Sequence, residues 1–95
     1  MLVRLDENAL HEMKWHAREV FAPARHGRTL EALARGLGAN SYKGLLTYAQ
    51  EFGGIMWDGD NSKAIAFLAE REVEVRSGGL AEVVAGHLVE HEHFC

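Results

Sequence analysis

Histidines and a glutamate near the end of the chain stand at a spacing that suits a divalent metal. In the string AGHLVEHEHF, His87 and His91 are four residues apart, with Glu90 between them. On a helix, residues i and i+4 share a face, so both imidazoles can reach one ion while a neighbouring glutamate activates a bound water. His93 and Cys95 add two further donors. Nothing in the pattern fixes four ligands in tetrahedral order, so the reading is no bound metal and no cofactor, with His87 and His91 the candidates if an ion is held. The densest basic spot is Arg25-His26-Gly27-Arg28, read as a joint between two helices, where guanidinium groups can clamp a phosphate, a carboxylate or an acidic protein surface. Arg18 and Lys14 lie just upstream and complete the set of cationic partner-binding candidates. The acidic turn Asp58-Gly59-Asp60-Asn61-Ser62 fails as a calcium loop, because Lys63 and Ala69 stand where glycine and glutamate are needed. A helix-capping turn explains it better. The chain has no glycine-rich phosphate loop, nucleophile elbow or paired catalytic carboxylates, so it reads as no enzyme.

The elements that must position these groups are mostly helical. Asp6 or Asn8 can cap a first helix with the stripe Leu10, Met13, Ala17, Val20 and Phe21, ended at Ala22-Pro23. A second helix is expected from Thr29 through Leu30, Leu33, Ala34 and Leu37, stopped by Gly38, and a third from Ser41 through Tyr42, Leu45, Leu46, Ala49 and Phe52, closed by Gly53-Gly54. Asn61 or Ser62 caps a fourth through Ala64, Ile65, Leu68 and Ala69. After the joint at 77–79, a last helix runs from Leu80 through Val83, Val84, His87, Leu88, His91 and Phe94. Residues 73–76 alternate with period two and read as a short strand pairing with 55–57. The expected fold is mainly α, a compact bundle of four to five short helices in one domain over residues 1–95, with that minor two-stranded element. Trp15, Tyr42, Tyr48 and Trp57 read as core or rim residues.

Residues 29–49, TLEALARGLGANSYKGLLTYA, resemble the helix-turn-helix segment of many bacterial DNA-binding domains: Ala34 sits where the first helix packs closely and Gly38 sits in the turn. The resemblance implies DNA contact through Asn40, Ser41 and Lys43. The segment departs from the pattern in that Leu45 and Tyr48 fall one place late and its second helix has no arginine. The His87–His91 string is similar to the H-x-x-E-H signature of the inverted zinc peptidases. Those enzymes need a further acidic ligand well downstream, and only four residues follow His91, so no peptidase is expected.

Composition bounds the rest. Ninety-five residues with 47% apolar and 25% charged content suit one core and weigh against wholesale disorder. The single cysteine, Cys95, allows no intrachain disulfide. No export signal or apolar run of membrane-spanning length is visible, so cytoplasm is the expected location. Residues 1–49 hold seven Lys/Arg against five Asp/Glu, and residues 50–95 hold three against nine. The net charge of −4 thus hides a basic front and an acidic back. DNA affinity comes largely from neutralised phosphates, which an acidic half opposes. The first reading is therefore a non-catalytic protein-binding module: an inhibitor, adaptor or accessory factor that covers a partner surface. Small acidic proteins of mobile elements, anti-CRISPR and anti-restriction inhibitors among them, look similar in size and charge. The alternative is a helix-turn-helix DNA-binding regulator or antitoxin using residues 29–49. A homo-oligomer is compatible with either.

Overall fold

In the computed structural model, which describes residues 2–22, 24–75 and 78–89, each helix begins and ends where local chemistry allows it. Strand β1 (Leu2–Arg4) leads into α1 (Glu7–Val20), whose cap is Asp6, accepting the Ala9 N–H at 2.9 Å. Ala9, Met13, Ala17 and Phe21 recur every four residues and are all buried, which lays α1 along the core. Helix α2 (His26–Gly36) starts at the Arg25 cap, three residues earlier than the apolar pattern suggested. The supposed joint is therefore the first turn of a helix.

The Ser41 hydroxyl oxygen accepts the Gly44 N–H at 3.0 Å and opens α3 (Tyr42–Phe52). A second bond reinforces this start: Tyr42 N–H donates to Glu31 Oε1 at 3.0 Å and ties the beginning of α3 to α2. Gly53, at φ 69°, closes α3 in the left-handed conformation that favours glycine. The chain then enters β2 (Gly54–Met56).

Asn61 stands at the cap of α4 (Ser62–Ala69) but does not cap it. Its Oδ1 instead accepts the Ala81 N–H, at 2.9 Å, in the first turn of α5 (Gly79–Val84). One side chain thus supplies the missing cap of a helix twenty residues away. Asn61→Ala is expected to cost about 1 kcal/mol, the usual worth of such a cap. Urea denaturation measures it, and an unchanged midpoint would show that α5 holds its place without this bond.

The small sheet differs from the sequence expectation in its pairing. Its order is β2-β1-β3, antiparallel throughout, with Val3 opposite both Ile55 and Leu88. β2 falls close to the expected 55–57, but its partner is the amino-terminal strand. Residues 73–75 form no strand, and residue 76 lies outside the described residues. Period-two alternation there reflects a partly exposed extended connection after α4: Val73 and Val75 pack against the core while Glu72 and Glu74 face solvent.

The last helix is also shorter than expected. After Val84 the chain tightens into a 3₁₀ turn (Ala85–His87) containing Gly86, and then extends as β3 (Leu88–Val89). Pairing of Leu88 and Val89 with β1 supplies ladder partners to the second side of β1, which a continuing helix would not. One core cluster unites the elements, with Phe21, Leu33, Leu37, Leu45, Leu68 and Leu80 among its largest members.

Candidate functional site

The helices display three surfaces able to recognise something. The first lies between α2 and α4. Phe67, on α4, is buried with two guanidinium groups over its ring, Arg71 at 3.8 Å and Arg35 at 4.9 Å from the centroid. Arg25, at the cap of α2, and Arg28, in its first turn, share one cleft with them, about 500 Å³ in volume. Arg35 lies seven residues after Arg28, two helical turns on, which explains why both reach the same cleft. Glu31, also in its wall, pairs with Arg35 at 3.7 Å. Arg71 Nη1 donates to the Phe67 carbonyl at 2.9 Å and lies 3.5 Å from Glu70.

The second surface is the outer face of α1, where His11, Lys14, Trp15 and Arg18 line a shallow depression. Trp15 is 56% exposed, neither core nor rim, with the Arg18 guanidinium 5.9 Å from its ring. The sequence candidates Lys14 and Arg18 are therefore brought together, but in a different depression from Arg25 and Arg28.

The third surface was not singled out from the sequence. Tyr48, Phe52 and Met56 line an apolar cleft of about 290 Å³ with Leu2, Leu37 and Ile55. Phe52 is 72% and Met56 68% exposed, and the Tyr48 and Phe52 rings stand 5.9 Å apart at 46°. The cleft adjoins β2, which lies at the edge of the sheet: one side pairs with β1, and the other has no strand neighbour among the described residues. Helical spacing does place Tyr48 and Phe52 together, but the i, i+4 pattern that reveals a face cannot say whether the face is covered.

The chain matches no family model, no curated protein and no solved structure. Its function is read from these surfaces alone.

The DNA-reading candidates are placed as follows. Asn40 and Lys43 are exposed, whereas Ser41 is half-buried and its side chain is engaged in capping α3. α2 and α3 do pack as a pair, held by the Glu31–Tyr42 bond. The exposed side of α3 carries Leu46, Tyr48 and Phe52 together with Thr47 and Gln50, and its only charges are Lys43 and Glu51.

Of the metal candidates, His87 is buried in the 3₁₀ turn and its Nδ1 has no hydrogen-bond partner among the described residues. His91, with His93 and Cys95, lies outside those residues. The strand at Leu88–Val89 removes the continuous helix on which His87 and His91 would share a face. Among the described residues no group of three or more His, Cys, Asp or Glu side chains is placed to hold a metal ion.

The acidic turn is a structural device. Asp58 accepts the Asp60 N–H at 2.9 Å, and Asp60 accepts the Ser62 N–H at 2.8 Å and its hydroxyl at 2.9 Å. These backbone bonds, with help from Lys63 at Asp58 and from the Ser62 hydroxyl at Asp60, hold both carboxyls below their ordinary range. Carboxylates so held are acceptors and not proton donors near neutral pH. No helix among the described residues is long and apolar enough to cross a membrane.

Proposed function

We propose that the protein is a non-catalytic binding module, an inhibitor, adaptor or accessory factor. It receives an extended segment of a partner protein along β2. The observation that carries this reading is the exposed strip of Tyr48, Phe52 and Met56 beside β2, whose outer side has no strand neighbour among the described residues. A strand edge offers backbone donors and acceptors in register, and a neighbouring apolar cleft selects the side chains of an incoming strand. Aromatic residues and methionine are what protein interfaces gather, and large apolar side chains grouped on a surface mark such contacts. Lys14, Trp15 and Arg18 on α1 add a mixed cationic and aromatic patch of the same general composition.

The runner-up reading, DNA recognition by residues 29–49, is supported by the packed pair of α2 and α3. Against it stands the exposed side of α3, where Leu46, Tyr48 and Phe52 sit among Thr47 and Gln50, the one cation Lys43 is balanced by Glu51, and no arginine is present to read a base edge.

Affinity capture from the native host separates the two. Wild type, Phe52→Asp and the Asn40→Ala/Lys43→Ala double variant are compared, alongside duplex DNA binding and sedimentation of each protein. Phe52→Asp should weaken partner binding by ~30-fold or more, the loss when a central aromatic anchor is removed, while the double variant binds normally. Amide exchange at Gly54 and Met56, whose N–H groups face away from β1, should slow on addition of the purified partner. Partner binding that survives Phe52→Asp would sink the proposal. So would a wild-type dimer that Phe52→Asp converts to monomer, which would make the strip a contact between copies, and so would sequence-specific duplex binding lost in the double variant.

A further inference from the structure

We infer that the cleft between α2 and α4 is a binding site for a small phosphate-bearing ligand, separate from the apolar strip. Four guanidinium groups converge there, from Arg25, Arg28, Arg35 and Arg71. Two carboxylates oppose them, Glu31 in the wall and Glu70 beside Arg71, leaving a local surplus of two positive charges on a chain whose net charge is −4.

The arginines divide into two kinds. Arg35 and Arg71 are each held by a carboxylate and by the face of Phe67, and Arg71 also by the Phe67 carbonyl, so both are positioned before any ligand arrives. Arg25 and Arg28 have no ion pair or side-chain hydrogen bond to another described residue, and both are exposed at the mouth of the cleft. Fixed guanidinium groups beside unengaged ones suit an oxyanion, since the flat fork of arginine meets two oxygens at once. Charge selects the class. A single carboxylate would leave half of the surplus unmet, whereas a phosphate carries about −1.5 to −2 at neutral pH. Arg25 also stands at the α2 cap without a side-chain bond to the first turn, which carries no acidic residue, so the helix dipole adds to the same field.

The test is an amide chemical-shift titration of the whole chain with pyrophosphate and, separately, inorganic phosphate, at constant ionic strength. Both should bind saturably, with Kd on the order of 0.1–1 mM. The largest shifts should fall at Gly27, Arg28, Arg35 and Arg71. Arg28→Gln should weaken binding by about tenfold or more, the loss of one charge-assisted contact. Lys14→Gln, the same charge change on α1, should leave it unaltered, and so should Phe52→Asp, which separates this site from the docking strip. Non-saturating shifts, equal weakening by Lys14→Gln, or no binding at all would overturn the inference. Displacement of pyrophosphate by duplex DNA with a steep salt dependence would overturn it too, in favour of a nucleic-acid groove.

Discussion

Phe21→Ala is expected to remove about 3–5 kcal/mol of stability, the cost of deleting a fully buried aromatic ring and leaving a cavity. Phe21 is wholly buried at the end of α1, and its ring lies so near α5 that a Cβ added at Gly79 would stand 3.7 Å from Cε1. The ring thus joins the helix that begins the core to the last helix that closes it. The surrounding backbone is fixed by capping bonds and by the sheet, so collapse into the void should be limited. A chain of this length has roughly 5–14 kcal/mol of stability in all, so the variant should be at or near unfolding at 37 °C. Calorimetry and urea titration measure the loss. A cost under about 1 kcal/mol would mean that α1 and α5 are not joined through this side chain.

Gly36→Ala is expected to cost about 1–3 kcal/mol, although alanine is the better helix former. On an exposed helix the substitution would stabilise by about 0.4–1 kcal/mol. Here an added Cβ would meet Leu80 Cδ2 at 2.5 Å and the Ala64 Cβ at 2.9 Å. Leu80 is buried and has little room to turn aside, and the Ala64 Cβ is fixed to the α4 backbone. The overlap must therefore push α2 away from α4. Arg35 sits immediately before Gly36 and leans on Phe67 of α4, so the same displacement should loosen the arginine cleft and weaken pyrophosphate binding. Leu80→Val shortens one of the two obstacles. In that background Gly36→Ala should cost less than in the wild type, a coupling that four urea curves resolve. A stabilising or neutral Gly36→Ala would show that α2 and α4 do not approach this closely in solution.

Both variants bear on how much of the molecule could be read directly from its residues. Helix existence was legible: apolar stripes at helical spacing, the Asp6 and Ser41 caps and the Gly53 stop mark α1 and α3 closely, because these signals act within a few residues along one chain. α4 was legible for the same reason. The start of α2 was not, since Arg25 caps without a side-chain bond and the first turn has no apolar stripe to reveal it. Arg28, assigned to a joint, is therefore helical, which is what aligns it with Arg35.

What belongs to the chain alone is thus the helical class, the uneven charge and the individual cationic candidates, because composition and local periodicity are one-dimensional properties. The tertiary structure decided which strands pair: β1 carries no alternating stripe long enough to announce itself, and it pairs with segments about fifty and eighty-five residues distant. It turned Asn61 from a local cap into the cap of α5. It placed Arg71, from the acidic half, beside three arginines of the basic half, so that charge balance along the sequence concealed a positive cleft in space. It also left Phe52 and Met56 exposed beside β2, which has a single strand neighbour among the described residues. Periodicity determines which residues share a face, but only the packing of one element against another determines whether that face is covered or left open to a partner.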